Sequence, residues 1–508
     1  MTSVLEQEAA PADELEVTIG LEVHAQVLTA SKMFCACRAD YAGAPPNTQA
    51  CPICLGMPGT LPTINQQAVE KVILTGLALN CEIAPFSKFD RKNYPYPDLM
   101  KGYQISQYDL PICVGGWLEI DLPDGGTKKV GITRVHMEED TAKLLHVGRE
   151  HGGEQYALLD VNRSGVPLME IVGEPDLSSP EEARRYLVKL RQMLRYLEVS
   201  SGNMEEGSFR CDANISLRPR GQQAYGNRAE VKNMNSFSAV FHALEYEIKR
   251  QSELLRSGQR VEQETRGWVE TRGVTRSQRS KEFAHDYRYF PEPDLPPLVT
   301  SADEIERLRA TLPELPDAKR ARFLSEYGLD EESAHLLTAS RGGADYYETA
   351  VAAFRLDDPA KLREAAKWVA NWVRGELFRL LRESGHELED ARVTPAQLAS
   401  LISLTQGDTI SQSVGKQLLA ELYANPDPKL KPADIVAERG LAKVSDAGEL
   451  EAVVRQVIAA NPSLVEQYRT KPTVMIAFIG RVMGATKGKG DAKVIEQLLH
   501  KLLDGEVK

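Results

Sequence analysis

Acidic residues and histidines recur at two-residue spacing in three segments that are typical of β-strands. Because alternate residues of a strand project from the same face, each set is expected on the polar face of a sheet whose other face is buried. The three sets are Glu22 with His24; Arg134, His136 and Glu138, followed by Glu139 and Asp140; and Arg210, Asp212 and Asn214.

Carboxylate oxygens are the ligands that Mg²⁺ prefers, and water and phosphate oxygens complete its octahedron. Three such faces in one domain predict a sheet that could hold a magnesium nucleotide. For any one set taken alone, the alternative is the solvated side of an amphipathic strand. A P-loop is excluded because the segment from Gly484 to Gly490 has the wrong glycine and lysine spacing and no following serine or threonine. No GxSxG or HExxH motif is present, which argues against common hydrolase classes.

Four of the seven cysteines form two short turns, Cys35-Ala-Cys37 and Cys51-Pro-Ile-Cys54. Tetrahedral zinc takes four thiolates from two such turns, and four protein ligands leave no open position for a substrate. The spacing therefore predicts a structural zinc site. The alternatives are a group of small buried residues and a redox pair at Cys51 and Cys54.

Cationic and aromatic side chains are mixed in two segments, where they offer charges for phosphates and rings for an unpaired base. Tyrosine beside lysine is also common at loop surfaces. The formal net charge is −12, so a nucleic acid would have to use such local patches. The first segment contains Lys88, Arg91, Lys92, Tyr94, Tyr96, Lys101, Tyr103 and Tyr108; the second contains Arg279, Lys281, His285, Tyr287, Arg288 and Tyr289; a basic tail contains Lys471, Arg481, Lys487, Lys489 and Lys493.

The elements that must position these residues are strands interleaved with helices. Period-two alternation predicts strands at 16–28, Tyr156–Arg163 and Phe209–Leu217. Ser179 is the predicted N-cap of one helix, with a proline and a capping-box glutamate after it, and a second helix is predicted from about Val240 to Gly258. The first part is therefore predicted to be α+β with an antiparallel-rich sheet.

Four prolines between Phe290 and Pro297 mark the best domain boundary, because proline removes a backbone donor and fixes φ. Beyond it the hydrophobic periodicity is helical, with a second break near Asn425-Pro426. We predict an α+β domain at 1–297 that carries the polar strands and a zinc-binding loop, an all-α helical domain at 298–408 and a helical tail at 409–508 whose basic residues could contact a phosphate backbone.

The first fifteen residues are acidic and lack an apolar segment, unlike a signal peptide. No stretch approaches the roughly 18 apolar residues of a membrane span. A cytoplasmic protein without a membrane partner is expected.

The polar strand faces and the second cysteine pair lie in longer motifs that resemble the GatB family, the B subunits of bacterial and organellar aspartyl/glutamyl-tRNA amidotransferases. The matching stretches are Ile19–His24, Cys51–Gly56, Arg91–Asp98, Lys101–Gln107, His136–Asp140, Asp160–Gly165, Asn203–Ser208, Glu230–Asn235 and Asp286–Pro291.

The resemblance implies a reaction on tRNA(Gln) charged with glutamate or tRNA(Asn) charged with aspartate. ATP phosphorylates the side-chain carboxylate, and ammonia then converts the acyl phosphate to the amide. An amidase-like A subunit supplies the ammonia from glutamine, and a small C subunit braces the pair to form a heterotrimer.

The resemblance also implies roles for particular residues. Glu22 and His24 with Glu138 and Glu139 resemble the ligands of a catalytic Mg²⁺, although only one of the adjacent Glu138 and Glu139 is expected to reach the ion directly. Glu206 and Asp212 are possible further members that bind the cofactor. Some family members lack the zinc cysteines, and this sequence has all four: Cys35, Cys37, Cys51 and Cys54.

Two other classes of protein stay open at this point. A zinc-bearing tRNA-binding factor would show no ATP cleavage that depends on misacylated tRNA. A magnesium nuclease would use the same carboxylates to cut a strand without ATP.

Overall fold

The computed structural model describes residues 15–147, 156–280, 287–443, 447–486 and 488–505. The chain forms two compact units, Met1–Leu315 and Pro316–Lys508. Among the described residues, no helix is both long enough and apolar enough to cross a membrane. Of the acidic first fifteen residues, only Leu15 is among the described residues.

The first unit combines strands with four described helices. The strands are β1 (Leu15–Gln26), β2 (Glu82–Ile83), β3 (Phe86–Ser87), β4 (Asp90–Asn93), β5 (Tyr103–Ser106), β6 (Cys113–Val114), β7 (Trp117–Asp121), β8 (Thr127–Glu139), β9 (Lys143–Val147), β10 (Tyr156–Asp160), β11 (Pro167–Gly173), β12 (Phe209–Pro219), β13 (Ala229–Lys232), β14 (Glu264–Val269), β15 (Val274–Ser280), β16 (Phe290–Pro291) and β17 (Leu298–Val299). The helices are α1 (Gln66–Ala78), α2 (Pro180–Tyr196), α3 (Phe237–Arg256) and α4 (Ala302–Arg309).

A ten-stranded sheet in the described residues organises this unit, in the order β15-β14-β13-β12-β1-β11-β8-β6-β2, with β7 paired to β8 off this path. Its pairs are antiparallel except β13 with β14, which is parallel. The long strands β1, β8, β11 and β12 therefore lie side by side at its centre. The structure confirms the predicted α+β class with an antiparallel-rich sheet.

One face of the sheet is covered by helices and is apolar. In β1, Ile19, Leu21, Val23 and Ala25 are buried in the main hydrophobic cluster together with residues of α1, α2 and α3. Of the intervening residues of β1, Glu22 and His24 are only partly buried. The alternation read from the sequence thus separates a packed face from a polar face.

Local sequence signals place the helices that cover the sheet. Ser179 is the N-cap of α2, and its hydroxyl accepts a hydrogen bond from the Glu182 N–H at 3.2 Å. The predicted capping-box carboxylate of Glu182 instead accepts from the N–H of Ser178 and from Lys128, because the Lys128 ammonium lies 2.8 Å away. The predicted strand at Tyr156–Arg163 is a strand to Asp160 and then a turn of 3₁₀-helix.

The second unit is helical over its described residues. Its helices are α5 (Pro316–Ser325), α6 (Glu331–Leu337), α7 (Arg341–Ala352), α8 (Pro359–Trp372), α9 (Phe378–Ser384), α10 (Pro395–Gln406), α11 (Gln412–Ala424), α12 (Pro432–Glu438), α13 (Ala447–Ala459), α14 (Pro462–Thr470), α15 (Met475–Ala485) and α16 (Ala492–Gly505).

Two hydrophobic clusters stabilise the second unit. The residues of one run in sequence from Phe323 to Val436, and those of the other run from Leu450 to Leu503. The proline-rich segment belongs to the first unit, where β16 pairs with β4 and β17 pairs with β3. The domain boundaries at 297 and 408 stay predictions.

Candidate functional site

A row of charged and polar residues crosses the polar face of the central strands. Cross-strand register places His24 opposite both Glu170 of β11 and Arg210 of β12. Glu170 lies in turn opposite His136 of β8, and Glu22 lies opposite Asp212. Because directly opposed residues of antiparallel strands bring their side chains together, residues from four strands converge on one region.

An imidazole and two carboxylates form the centre of this row. His24 Nε2 lies 3.2 Å from Glu138 Oε1 and 3.4 Å from Glu170 Oε2. His136 Nε2 lies 3.4 Å from the same Glu170 oxygen. His24, Glu138 and Glu170 each offer one ligand atom, and these three atoms all lie within 4.8 Å of one another. This trio, which we call the carboxylate–histidine cluster, has the donor types and the spacing of a metal site.

Glu138 has an unused oxygen in this cluster. Its carboxylate is buried, and its Oε2 accepts no hydrogen bond. The Lys92 ammonium lies 3.9 Å from that oxygen, beyond hydrogen-bond distance. A buried carboxylate oxygen without a donor is costly unless a cation or ligand completes its environment.

The charges of the cluster depend on one another. Burial alone would raise the pKa of Glu138, but Lys92 and His24 outweigh it and hold that pKa below its usual value. Burial acts in the same way on Glu170, where His136 and His24 hold the pKa well below its ordinary range. Burial would lower the pKa of His24, yet the two carboxylates raise it to about 10. The cluster therefore keeps both carboxylates ionised.

Glu22 borders the cluster in a more acidic environment. Burial raises the pKa of Glu22, and the nearby carboxylates of Glu170, Asp212 and Glu230 raise it further. Asn214 donates a hydrogen bond to Glu22 Oε1 at 2.9 Å. Crowding of acidic groups on one face favours binding of a cation there.

Asp212 is held by a neighbouring cation. Lys232 of β13 lies 2.6 Å from Asp212 Oδ2 and 3.4 Å from Glu230 Oε1. This ion-pair group extends the polar row from β12 to β13.

Glu139 is directed away from the cluster. Its carboxylate pairs with the Lys101 ammonium at 2.5 Å and accepts the Ile105 N–H at 3.0 Å. Neighbouring strand residues face opposite sides, so of the adjacent pair the structure brings Glu138, and not Glu139, to His24.

Glu206, the remaining predicted site residue, lies exposed in the turn that precedes β12. It is not a member of the group formed by His24, Glu138 and Glu170. Glu170, by contrast, was not predicted from the sequence as a site residue. One signal in the sequence could have identified it: Glu170 is the single acidic residue of the otherwise apolar strand Pro167–Gly173. A buried glutamate is rare unless it has a partner.

The four predicted zinc cysteines converge in a loop cluster of the first unit. The sulfur atoms of the four residues all lie within 4.8 Å of one another; these residues are Cys35, Cys37, Cys51 and Cys54. The Cys35–Cys54 and Cys51–Cys54 sulfur distances are 3.5 Å and 3.7 Å. A Zn–S bond of about 2.3 Å places tetrahedral sulfurs roughly 3.8 Å apart, so the arrangement fits one Zn²⁺. All four cysteines are free thiols.

A buried lysine connects the cysteine cluster to the rest of the unit. Lys32 is fully buried, donates to the Gln49 carbonyl at 2.8 Å and lies 3.5 Å from the Cys54 sulfur. Its positive charge helps to lower the pKa of Cys54, after the larger effect of the hydrogen bond from Cys35, to about 4. A thiolate is the form that binds a metal.

The basic and aromatic segments are described in part. Lys92, Tyr94, Tyr108, Tyr287 and Tyr289 are described, whereas Lys281, His285 and Lys487 lie outside the described residues.

The fold and these two clusters define a class: an α+β catalytic domain with a carboxylate–histidine cluster on its central sheet and a Cys₄ loop, followed by helical domains. Residues 17–306 match the family described as the GatB/GatE catalytic domain, and residues 356–503 match the family described as the GatB domain. The chain belongs to the GatB family.

Relatives of similar length support this assignment. The chain is 55% identical over 497 residues to a protein of Thermomicrobium roseum, covering 97% of this chain and 100% of the relative. It is 53% identical to a protein of Moorella thermoacetica (96% and 100% covered) and 52% identical to one of Dehalococcoides mccartyi strain CBDB1 (96% and 99% covered). Each of these relatives is named as the B subunit of an aspartyl/glutamyl-tRNA(Asn/Gln) amidotransferase.

Proposed function

We propose that this chain is the B subunit of a glutamine-dependent tRNA amidotransferase, a ligase that forms carbon–nitrogen bonds as part of a complex. The substrates are Glu-tRNA(Gln), Asp-tRNA(Asn) or both. Similarity to relatives of that name over nearly the full length supports the assignment. The observation that carries it is the carboxylate–histidine cluster on the polar face of the central sheet.

The chemistry proceeds in two steps. The side-chain carboxylate of the tRNA-borne amino acid attacks the γ-phosphorus of ATP, forming an acyl phosphate and releasing ADP. Ammonia then attacks the acyl carbon, and phosphate leaves with the electron pair of the broken C–O bond. Since a carboxylate is a poor electrophile, the first step is needed to make the second possible.

We propose that Glu138, Glu170 and the neutral form of His24 hold Mg²⁺, with Glu22 beside them, because the ion replaces the imidazole proton when it binds. The buried Glu138 oxygen without a donor and the oxygen-rich donor set fit this ion. When bound, Mg²⁺ neutralises phosphate and carboxylate charge in the phosphoryl-transfer step. Asp212 is proposed to border the nucleotide. Glu139 and Glu206 are proposed to contribute to substrate binding outside the set of metal ligands.

The residues of this chain act through position and charge. Lys92 keeps Glu138 ionised, and His136 fixes the Glu170 carboxylate toward His24. The apolar face packed against α1, α2 and α3 holds the strands that carry these side chains. Preorganised charge of this kind is usually the largest contribution to catalysis.

The proposed partners are an amidase-like A subunit, which releases ammonia from glutamine, and a small C subunit. We propose that a structural Zn²⁺ is held by Cys35, Cys37, Cys51 and Cys54, and that the tail contacts the body of the tRNA. The cytoplasm is the proposed location.

An ATP-dependent amidation assay of the reconstituted complex on each misacylated tRNA tests the function. Formation of Gln-tRNA(Gln) or Asn-tRNA(Asn) with release of ADP is expected. Binding of tRNA without ATP cleavage would favour a tRNA-binding factor, and strand scission without ATP would favour a nuclease.

A further inference from the structure

Two tyrosines from distant parts of the sequence form a parallel ring stack at the edge of the site. The rings of Tyr108 and Tyr289 have centroids 4.4 Å apart and an interplanar angle of 12°. Tyr289 is partly buried, whereas 55% of Tyr108 is exposed. Tyr289 covers one face of the Tyr108 ring, and more than half of Tyr108 is left accessible to a ligand.

This ring stack is connected to the carboxylate–histidine cluster through short contacts. Tyr289 lies 6.0 Å from Tyr287, ring centroid to centroid. The Lys92 ammonium lies 5.2 Å from the centre of the Tyr287 ring and 3.9 Å from Glu138 Oε2. The aromatic surface thus begins next to the cluster and ends at Tyr108.

The backbone on both sides of the stack is held by side-chain hydrogen bonds. The Tyr108 N–H donates to the Asp90 carboxylate at 3.1 Å, and Asp90 is itself buried and paired with Lys88. Asn93 donates to the Arg288 carbonyl at 2.9 Å, directly before Tyr289. The rings are therefore preorganised, which lowers the entropy cost of binding a flat ligand.

We infer that Tyr108, backed by Tyr289, is a stacking surface for an adenine ring. The inference rests on the proposed function, in which both substrates carry one: ATP, and the 3′-terminal adenosine that bears the amino acid. Each must bring its reactive group to the same cluster. Every base has a π-face, and stacking on an aromatic side chain requires no hydrogen-bond pattern.

Two fluorescent probes test this without turnover and distinguish the two sources of adenine. One is the triphosphate of 2-aminopurine riboside, and the other is tRNA whose 3′-terminal adenosine is replaced by 2-aminopurine. Each is titrated into the assembled complex carrying Tyr108→Ala, Tyr108→Phe or no substitution. Tyr225→Ala is the matched control, because Tyr225 is also exposed (61%) and lies beside Arg218 toward the far end of β12.

We expect quenching of one probe with the wild type, Tyr108→Phe and Tyr225→Ala. Tyr108→Ala should weaken binding of that probe by roughly 5- to 150-fold and reduce its quenching. The probe affected identifies the source of the adenine. Equal affinity and quenching of both probes in the wild type and Tyr108→Ala would overturn the inference, as would an equal loss in Tyr108→Phe. Failure of the wild type to amidate tRNA would contradict the proposed function separately.

Discussion

Glu170 lies directly opposite His24 across the β1–β11 pair, and its Oε2 is 3.4 Å from His24 Nε2. The same oxygen is 3.4 Å from His136 Nε2 on the other neighbouring strand. Glu170 therefore joins two histidines from strands that flank its own. This relationship makes β11 the strand that assembles the cluster, although its sequence is otherwise apolar.

Substitution at Glu138 and Glu139 should separate a metal ligand from its neighbour. We expect Glu138→Gln to weaken binding of Mn²⁺, used as a probe for Mg²⁺, by at least about tenfold, because it removes a charged donor from the cluster. Glu139→Gln is the matched control, since its carboxylate pairs with Lys101 instead. Calorimetric titration of Mn²⁺ into the assembled complex measures both. A larger loss in Glu139→Gln would contradict the assignment.

The cysteine cluster predicts one tightly bound Zn²⁺ per chain. Cys51→Ser should reduce the zinc content of protein purified from zinc-replete cells, because one of four thiolate ligands is lost. Cys81→Ser, which alters a buried single cysteine, should leave the zinc content unchanged. Elemental analysis of the purified proteins is the measurement. A wild type that contains no zinc would rule the site out.

A buried ion-pair network away from the site should stabilise the first unit. Glu247 of α3 is fully buried and accepts hydrogen bonds from Arg250 at 2.7 Å and Gln251 at 3.0 Å. Glu247→Ala removes the carboxylate that the partly buried Arg250 and Arg266 share, and we expect it to lower the free energy of unfolding by about 1–3 kcal/mol. Glu245→Ala, exposed on the same helix, should change it by less than about 0.5 kcal/mol. Urea denaturation measures both values.

The same network predicts how the stability of the first unit changes with pH. Burial would raise the pKa of Glu247, but Arg250, Thr275 and Gln251 hold it below its usual value. A depressed folded-state pKa contributes stability above the unfolded-state pKa of about 4.3 and loses it as pH falls through the folded-state value. The difference in stability between the wild type and Glu247→Ala should therefore shrink below about pH 4. A difference that grows on acidification would contradict this.

The basic tail residues should bind the tRNA body without taking part in the chemistry. Arg481 and Lys493 are exposed, so Arg481→Gln with Lys493→Gln should weaken tRNA affinity and flatten its salt dependence. Lys361→Gln with Lys367→Gln, exposed on α8, is the matched control. Single-turnover amidation at saturating tRNA should be unchanged in both. A slower rate constant with normal affinity in the tail variant would contradict this division of roles.

Local patterns in the sequence predicted much of the first unit. The alternation of residues predicted that Glu22 and His24 lie on the polar face of β1, and the N-cap Ser179 predicted where α2 begins. Both features could be predicted because each depends on residues that are neighbours in the sequence. The cysteine group likewise followed from short chelating turns.

The composition of the carboxylate–histidine cluster could not be predicted in the same way. The register that sets Glu170 between His24 and His136 joins residues far apart in the chain. Likewise, which of the adjacent Glu138 and Glu139 reaches His24 depends on which side chains of β8 lie on the same face of the sheet as His24. The sequence alone does not give the strand order that decides this.

We propose above all that the carboxylate–histidine cluster is the site at which ATP activates a tRNA-borne carboxylate. The most direct test is single-turnover amidation by the complex carrying Glu170→Gln, with Glu174→Gln as the control because Glu174 bonds Thr133 outside the cluster. We predict that Glu170→Gln lowers the rate constant by about 10²- to 10³-fold while the glutaminase partner still hydrolyses glutamine. Amidation by Glu170→Gln at the wild-type rate would contradict the account.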